Sequence, residues 1–134
     1  MSDRVFVFDI DGTLTVGRYT EESLPTVKEN PILVLLAKSL QKQGDLVIST
    51  ARPERYREQT EKWLTKHKLK PVAVYMRPEN RDKIADHMVK FEHLEDIRKK
   101  FGEPLLWADD NDNNVTMLER NGIPVIHVKP GKEK

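Results

Sequence analysis

The sequence predicts one α/β domain built on a mainly parallel, five-stranded sheet flanked by helices. Three observations carry this. The chain has 134 residues, the size of one domain, and buries roughly two thirds of its unfolded surface without needing staples. Short apolar runs recur that are too continuous for strands exposed on one face. Segments with helical spacing separate those runs, the pattern of right-handed crossovers between parallel strands.

Val5-Phe6-Val7-Phe8 is the first strand, ending at a carboxylate and a glycine turn. Asn30-Pro31 is a helix start, with Asn as cap and Pro at the first helical position. Ile32, Leu33, Leu35, Leu36 and Leu40 mark an apolar face, and Gly44 is the stop. Leu46-Val47-Ile48 is the second strand. Pro53 opens a second helix, with Tyr56, Thr60, Trp63 and Leu64 at helical spacing. Val72–Met76 is a third strand, β-branched and aromatic. Ile84, Met88, Phe91, Leu94, Ile97 and Phe101 step by threes and fours, a third helix ended by Gly102. Leu105-Leu106-Trp107 is the fourth strand. Val115 and Leu118 face inward from a short helix stopped by Asn121-Gly122, and Val125-Ile126 starts the fifth strand. Residues 129–134 are expected to form a loose tail. There is no repeat, low-complexity segment or linker, so residues 1–134 read as a single domain.

Hydrophobic residues make up 37% and charged residues 34%, with a mean hydropathy of −0.65, the composition of a soluble protein. No apolar run approaches the roughly 18 residues of a membrane span. The start, Met1-Ser2-Asp3, lacks the basic and apolar regions of a secretory signal. Cysteine is absent, which excludes disulfides, thiolate catalysis and zinc–sulfur sites together. A reducing, cytoplasmic setting is the simplest expectation. The net charge of +1 hides an asymmetry: residues 52–104 hold 14 Lys/Arg against 10 Asp/Glu, and the rest hold 9 against 12. A basic middle suits an anionic substrate approached from one side; scattered solvated helix faces produce the same bias.

In sheets of this kind the ligand sits beyond the carboxyl ends of the strands. That rule alone yields candidate site residues. Asp9 and Asp11 follow the first strand, Ser49, Thr50 and Arg52 the second, Arg77 the third, and Asp109 and Asp110 the fourth. Carboxylates this close cannot all stay ionised unless a cation joins them. Oxygen ligands without His or Cys favour magnesium over zinc, and magnesium usually shares its ligands with a phosphate. Asp-Gly and Asp-Asp-Asn at strand ends are also ordinary turn chemistry, but two such pairs, each after a buried strand, favour a site.

The segment Asp9-Ile10-Asp11-Gly12-Thr13-Leu14-Thr15 after "VFVF" resembles the first motif of the haloacid dehalogenase (HAD) superfamily of phosphatases, whose fold is Rossmann-like. "VIST", ending at Thr50, resembles the second motif, with Ser49 the weaker alternative for its hydroxyl. Lys90 falls where the third motif's lysine is expected, and "LLWADD" resembles the fourth. The resemblance spans residues 4–128. It implies Asp9 as a nucleophile forming an aspartyl-phosphate. Asp11 would act as the general acid and then the general base. An aspartate at that second position resembles the hydrolases and not the ATPase relatives. The resemblance implies Mg2+ held by Asp9, the backbone carbonyl of Asp11 and a fourth-motif carboxylate, Asp110 by the family pattern, with Asp109 behind it. Thr50 and Lys90 would bind the phosphoryl oxygens.

HAD phosphatases usually carry a cap domain. Only 38 residues (12–49) separate Asp11 from Thr50, and 39 (51–89) separate Thr50 from Lys90. Helices and strands fill both gaps, so no cap domain is expected. An uncapped site suits a large substrate whose own bulk excludes water. "STARPERYREQTEKWL" followed by "VYMRPENRDKIADHMVK" is similar to the 3′-phosphatase domain of phage-type polynucleotide kinase-phosphatases. By that likeness Arg52 contacts the phosphate, and Arg77 and Arg81 the nucleic-acid backbone; the alternative is that these arginines cap helices or pair with Glu54 and Glu79. Arg52→Ala is then expected to impair oligonucleotides more than p-nitrophenyl phosphate.

The expected activity is a phosphomonoesterase removing 3′-phosphate from DNA or RNA ends, that is, nucleic-acid end repair. The kinase half of the bifunctional enzymes is absent from these residues, so the chain reads as a stand-alone phosphatase or a separated domain, which leaves room for a separate kinase or ligase partner. A nucleotidase acting on nucleoside monophosphates would use the same four motifs, and a non-enzymatic nucleic-acid-binding module is the reading from another class. Tyr56 and Tyr75 read as packing residues, not a stacking platform. His67, His87, His93 and His127 read as surface or packing residues. The "GK" at Lys132 lacks the rest of a P-loop.

Overall fold

A computed structural model describes residues 3–17, 24 and 26–129. Nine regular elements alternate along them: β1 (Val5–Phe8), α1 (Pro31–Gln41), β2 (Asp45–Pro53), α2 (Arg57–Lys66), β3 (Ala73–Arg77), α3 (Asp86–Lys100), β4 (Leu106–Asp109), α4 (Asp112–Arg120) and β5 (Val125–His127). The strands form one sheet in the order β3-β2-β1-β4-β5, and every pairing is parallel. The order reverses beside β1, so the crevice at the carboxyl ends of β1 and β4 is the topological switch point.

Alternation along the strands feeds two cores. Phe6, Phe8, Leu46 and Ile48 pack with Val34 and Ala37 of α1 and Trp63 and Leu64 of α2. Val5, Val7, Val47 and Trp107 pack with Leu94 and Ile97 of α3 and Leu118 of α4. The α1–α2 pair thus covers one face and the α3–α4 pair the other. Trp63 is pinned as well as buried, its indole donating to the Val27 carbonyl at 2.7 Å. Asn30 caps α1 by accepting from the Leu33 amide. Among the described residues there is no cap domain, and no helix is long and apolar enough to cross a membrane.

Several boundaries differ from the sequence expectation. The second helix starts at Arg57, not Pro53, because Pro53 stays extended (φ −62°, ψ 150°) and pairs with Arg77 as the last residue of β2. Ile84 lies before α3. Val72 is exposed and precedes β3, while Leu105 is exposed and precedes β4. Within α1 the buried residues are Val34 and Ala37, with Leu33, Leu36 and Leu40 partly buried; Ile32 and Leu35 face outward. A helix apolar nearly all round carries no periodicity to say which stripe faces the core. Of the expected tail only Lys129 is described; the rest, with the Lys132 "GK", lies outside the described residues.

Candidate active site

Four chain segments converge at the carboxyl edge. β1 delivers Asp9, with Asp11 two residues on. Between Ser49 and Pro53 the β2–β3 register shifts, and bulges of this kind re-aim side chains beside functional sites. Thr50 and Arg52 lie on that shifted stretch. β4 ends on Asp109, followed by Asp110, while α3 sends Lys90 inward from the opposite face.

Lys90 is the centre of the cluster. It is 1% exposed, and its three ammonium protons go to Asp9 Oδ1 (2.8 Å), the Ser49 carbonyl (2.8 Å) and Asp109 Oδ2 (2.9 Å). Burial pulls its pKa down, but the charges of Asp109 and Asp9 and the bonds to both outweigh it and hold the pKa above the ordinary lysine value. Asp9 feels the reverse balance. Burial, then Asp109, push its carboxyl well above the usual range against the attraction of Lys90. Its Oδ2 accepts from the Thr13 hydroxyl at 3.2 Å.

The two aspartates of the β4 end are not equivalent. Asp109 is fully buried and fully engaged. Its oxygens accept from Lys90, from the Asn111 amide (3.1 Å) and from Asn114 Nδ2 (3.2 and 3.4 Å). Asp110 is half-buried, and burial followed by Asp109 raises its pKa. Its carboxylate occupies the space above Gly12, where a Cβ would lie 2.1 Å from Oδ2 and the backbone has φ +82°. Only glycine accepts that approach and that conformation together.

Oxygens of Asp9, Asp109 and Asp110 lie within 4.8 Å of one another. A hard, all-oxygen set of crowded, partly desolvated carboxylates fits a magnesium ion. Asp9 and Asp110 fit direct ligation; Asp109, its lone pairs already committed, fits a supporting place. The Asp11 side chain stands apart from this set, turned toward Arg52.

Arg52, expected to contact the phosphate, is turned onto a protein carboxylate. Its guanidinium is buried and forks onto Asp11, Nε to Oδ2 at 2.9 Å and Nη2 to Oδ1 at 2.8 Å, while Nη1 donates to the Thr60 hydroxyl at 3.0 Å. A planar fork on a carboxylate fixes orientation as well as charge. Arg52→Ala is therefore expected to cost about 100-fold in turnover of oligonucleotides and of p-nitrophenyl phosphate alike, measured side by side. A selective loss on oligonucleotides would return Arg52 to polymer binding.

Thr50 is buried, and its Oγ1 accepts from the Arg52 amide at 3.1 Å, so its hydroxyl proton is left to donate outward. The Ser49 hydroxyl is not so placed. It bonds His93 Nδ1 at 2.7 Å, and His93 Nε2 meets the Met76 carbonyl at 3.0 Å. A carbonyl only accepts, so Nε2 carries the proton and Nδ1 accepts from Ser49. Burial lowers His93 to about 4. The unfolded chain therefore takes up a proton before the fold does. The stability tied to neutral His93 is complete above about pH 6.5 and lost as pH falls to about 4, up to about 3 kcal/mol. Urea unfolding across pH 4–7 should show this slope in the native chain and a shallower one in His93→Gln; identical slopes would contradict it.

Arg77 also turns inward. Nε donates to the Ala51 carbonyl (3.1 Å), Nη1 to the carbonyls of Arg81 (2.8 Å) and Ile84 (2.5 Å), and Nη2 pairs with Asp86 (2.5 Å). It shapes the loop between β3 and α3 and offers no free face to a nucleic acid. Arg81 is half-buried and paired with Glu92. The anticipated helix-side pairing appears at neighbouring arginines, with Arg57 on Glu54 and Arg55 on Glu79. The sequence reading gave no part in the site to Asn114, to Thr60 beyond its helical spacing, or to the bond between Ser49 and His93. Asn114 was within reach, three residues past the Asn111 cap in "DDNDNN". Thr13 was quoted in its motif and given no role.

Fold and site together define the class, a phosphatase of the HAD type. Comparison with known proteins then gives the family: the model of the polynucleotide kinase PNKP phosphatase domain matches residues 3–132, and the chain belongs to that family. In structure it is similar to a chain in the "Structure of the Pnkp1/Rnl/Hen1 RNA repair complex", with a TM-score of 0.80 and 25% identity, covering 97% of this chain and 43% of that one. A chain of the "Structure of Pnkp1/Rnl/Hen1 complex" gives 0.79 and 24%, covering 97% and 47%, a likeness of fold. The protein thus spans less than half the length of those two chains. No curated protein matches the sequence.

Proposed function

We propose that the protein is a magnesium-dependent phosphatase that removes 3′-phosphate from polynucleotide ends, as one step of nucleic-acid end repair beside a separate kinase or ligase activity. The observation that carries it is the buried Asp9–Lys90–Asp109 chain at an uncapped sheet edge, with Asp11 following Asp9 by two residues and held by Arg52. A carboxylate oxygen of Asp9 attacks phosphorus, the bond to the 3′ oxygen breaks, and Asp11 gives that oxygen a proton. Water then attacks the aspartyl-phosphate, Asp11 takes the proton back, and inorganic phosphate leaves with Asp9 restored.

The other side chains serve these two steps. Lys90 holds Asp9 in place and offers positive charge to the phosphoryl oxygens, and the Thr50 hydroxyl donates to one of them. Both Asp11 oxygens accept from Arg52, so giving a proton needs one of them released. Incoming phosphoryl oxygens are rival acceptors for the same guanidinium. Asp9 and Asp110 would hold a magnesium ion, which would supply positive charge against that of the transferring group. Family membership supports polynucleotide ends as the substrate, and the RNA repair setting of the similar structure supports end repair.

The test is phosphate release from matched 3′-phosphate and 5′-phosphate oligonucleotides and from mononucleotides, with magnesium and after chelation. Selective, magnesium-dependent release from the 3′-phosphate oligonucleotide is expected. Preference for mononucleotides would make the protein a nucleotidase acting through the same residues.

A further inference from the structure

The α1–α2 face carries a second charged feature, remote from the catalytic edge. A cleft of about 600 Å³ opens between the carboxyl-terminal ends of these helices, lined by Lys38, Lys42, Lys68 and Lys70 with Gln41 and Leu69. No acidic residue lines it, and none of the four ammonium groups pairs with a carboxylate among the described residues. On the same face Glu58 pairs with Lys62 (3.3 Å), while Glu29 meets His67 (3.2 Å) in a neighbouring cleft that Lys38 and Lys68 also line.

The cleft is held in shape. Gln41 clamps the turn after α2, donating to the Lys68 carbonyl (2.9 Å) and accepting from the Lys70 amide (2.8 Å). Lys68 sits in the left-handed region at φ +62°, a conformation unusual for a long side chain. Leu69 between the two lysines is buried, so Lys68 and Lys70 are fixed on either side of an anchor. Lysines at helix ends offset the negative ends of the helix dipoles, which accounts for Lys38 and Lys42. Lys68 and Lys70 lie beyond the last turn, where that effect has fallen away.

We infer that this cleft is an accessory site for the phosphodiester backbone of the substrate, engaging phosphates well back from the end being processed. The inference rests on the polynucleotide reading above. Four unpaired ammonium groups in one concave surface match a repeating anion, and charge neutralisation of that kind is independent of sequence. α2 runs from the catalytic edge to the cleft, and its ten residues give about 15 Å, so the two sites lie roughly 20 Å apart. At about 3.4 Å per nucleotide of a helical strand that separation is about six nucleotides. A trinucleotide therefore fills only the catalytic site, whereas a 12-mer reaches both.

The variant is Lys42→Gln with Lys68→Asn and Lys70→Gln, asparagine being chosen because it tolerates the left-handed backbone. Two readouts apply, phosphate release from 3′-phosphate 3-mers and 12-mers, and fluorescence-anisotropy binding of a 3′-hydroxyl 12-mer, which involves no turnover. The expected result is a KM for the 12-mer raised about tenfold, with kcat and all 3-mer parameters unchanged. The log–log salt slope of 12-mer binding should fall by about 2 to 3. Unchanged 12-mer binding and salt slope in a folded variant would overturn the inference and leave the cleft to helix-dipole compensation or an acidic protein face. The readouts fail separately: a native chain that binds the 12-mer through these lysines yet releases phosphate only from mononucleotides would overturn the proposed reaction and keep the cleft.

Discussion

Asp9→Asn is expected to abolish turnover, by on the order of 10⁵-fold or more, while leaving the fold intact. Both halves of that expectation follow from the contacts of Asp9. Its Oδ1 accepts from Lys90 and its Oδ2 from the Thr13 hydroxyl. An asparagine keeps one acceptor for Lys90 and presents an amide to a hydroxyl that also accepts. Burial and Asp109 already disfavour the Asp9 charge, so its removal does not strain the folded state. What is lost is the oxygen that bonds phosphorus. Circular dichroism and thermal unfolding should match the native chain within a few degrees, and turnover surviving in the variant would exclude Asp9 as nucleophile.

Lys90→Met has the largest expected effect on stability. Methionine nearly matches the length of lysine and removes only the charge and its three bonds. Asp9 and Asp109 would then face each other, buried, without the cation between them. Breaking a buried pair by removing one partner costs about 3–5 kcal/mol, a drop in the thermal midpoint of about 10–15 °C for a chain this size. Adding Asp109→Asn should restore part of that stability and none of the activity. A Lys90→Met protein as stable as the native chain would mean that the ammonium is not what reconciles the two carboxylates.

How far the sequence foretold this site depends on what holds each residue. Asp9, Asp11, Asp109 and Asp110 were legible because parallel α/β sheets put chemistry at strand ends, and each pair follows a buried apolar run. Lys90 was legible only through the motif order, since a helix lysine is ordinarily solvated. The third helix misled for the same reason. Its expected apolar stripe included Met88, yet Met88 is exposed and the buried face holds Val89, Lys90, His93, Leu94 and Ile97. Two polar residues that serve the site occupy inward positions, so the apolar pattern no longer marks the inward face. His93 was taken for surface or packing; it is buried, and it also bridges Ser49 and β3. The arginines show a different gap: their positions after strands two and three and their family likeness mark Arg52 and Arg77 as phosphate-friendly, but neither reveals the buried acceptors that turn them inward, Asp11 for Arg52 and the Ala51 carbonyl and Asp86 for Arg77.

The central claim is a covalent aspartyl-phosphate at Asp9, and acid-quenched labelling tests it most directly. An Asp11→Asn protein mixed with p-nitrophenyl phosphate carrying a labelled phosphoryl group should release nitrophenol in a burst, because that leaving group needs little help from an acid. Breakdown of the intermediate should stall without its base. The account predicts about one label per chain, removable by hydroxylamine as an acyl phosphate is, and no label when Asp9→Asn is added. An unlabelled Asp11→Asn protein, with the native chain turning over the same substrate, would contradict it.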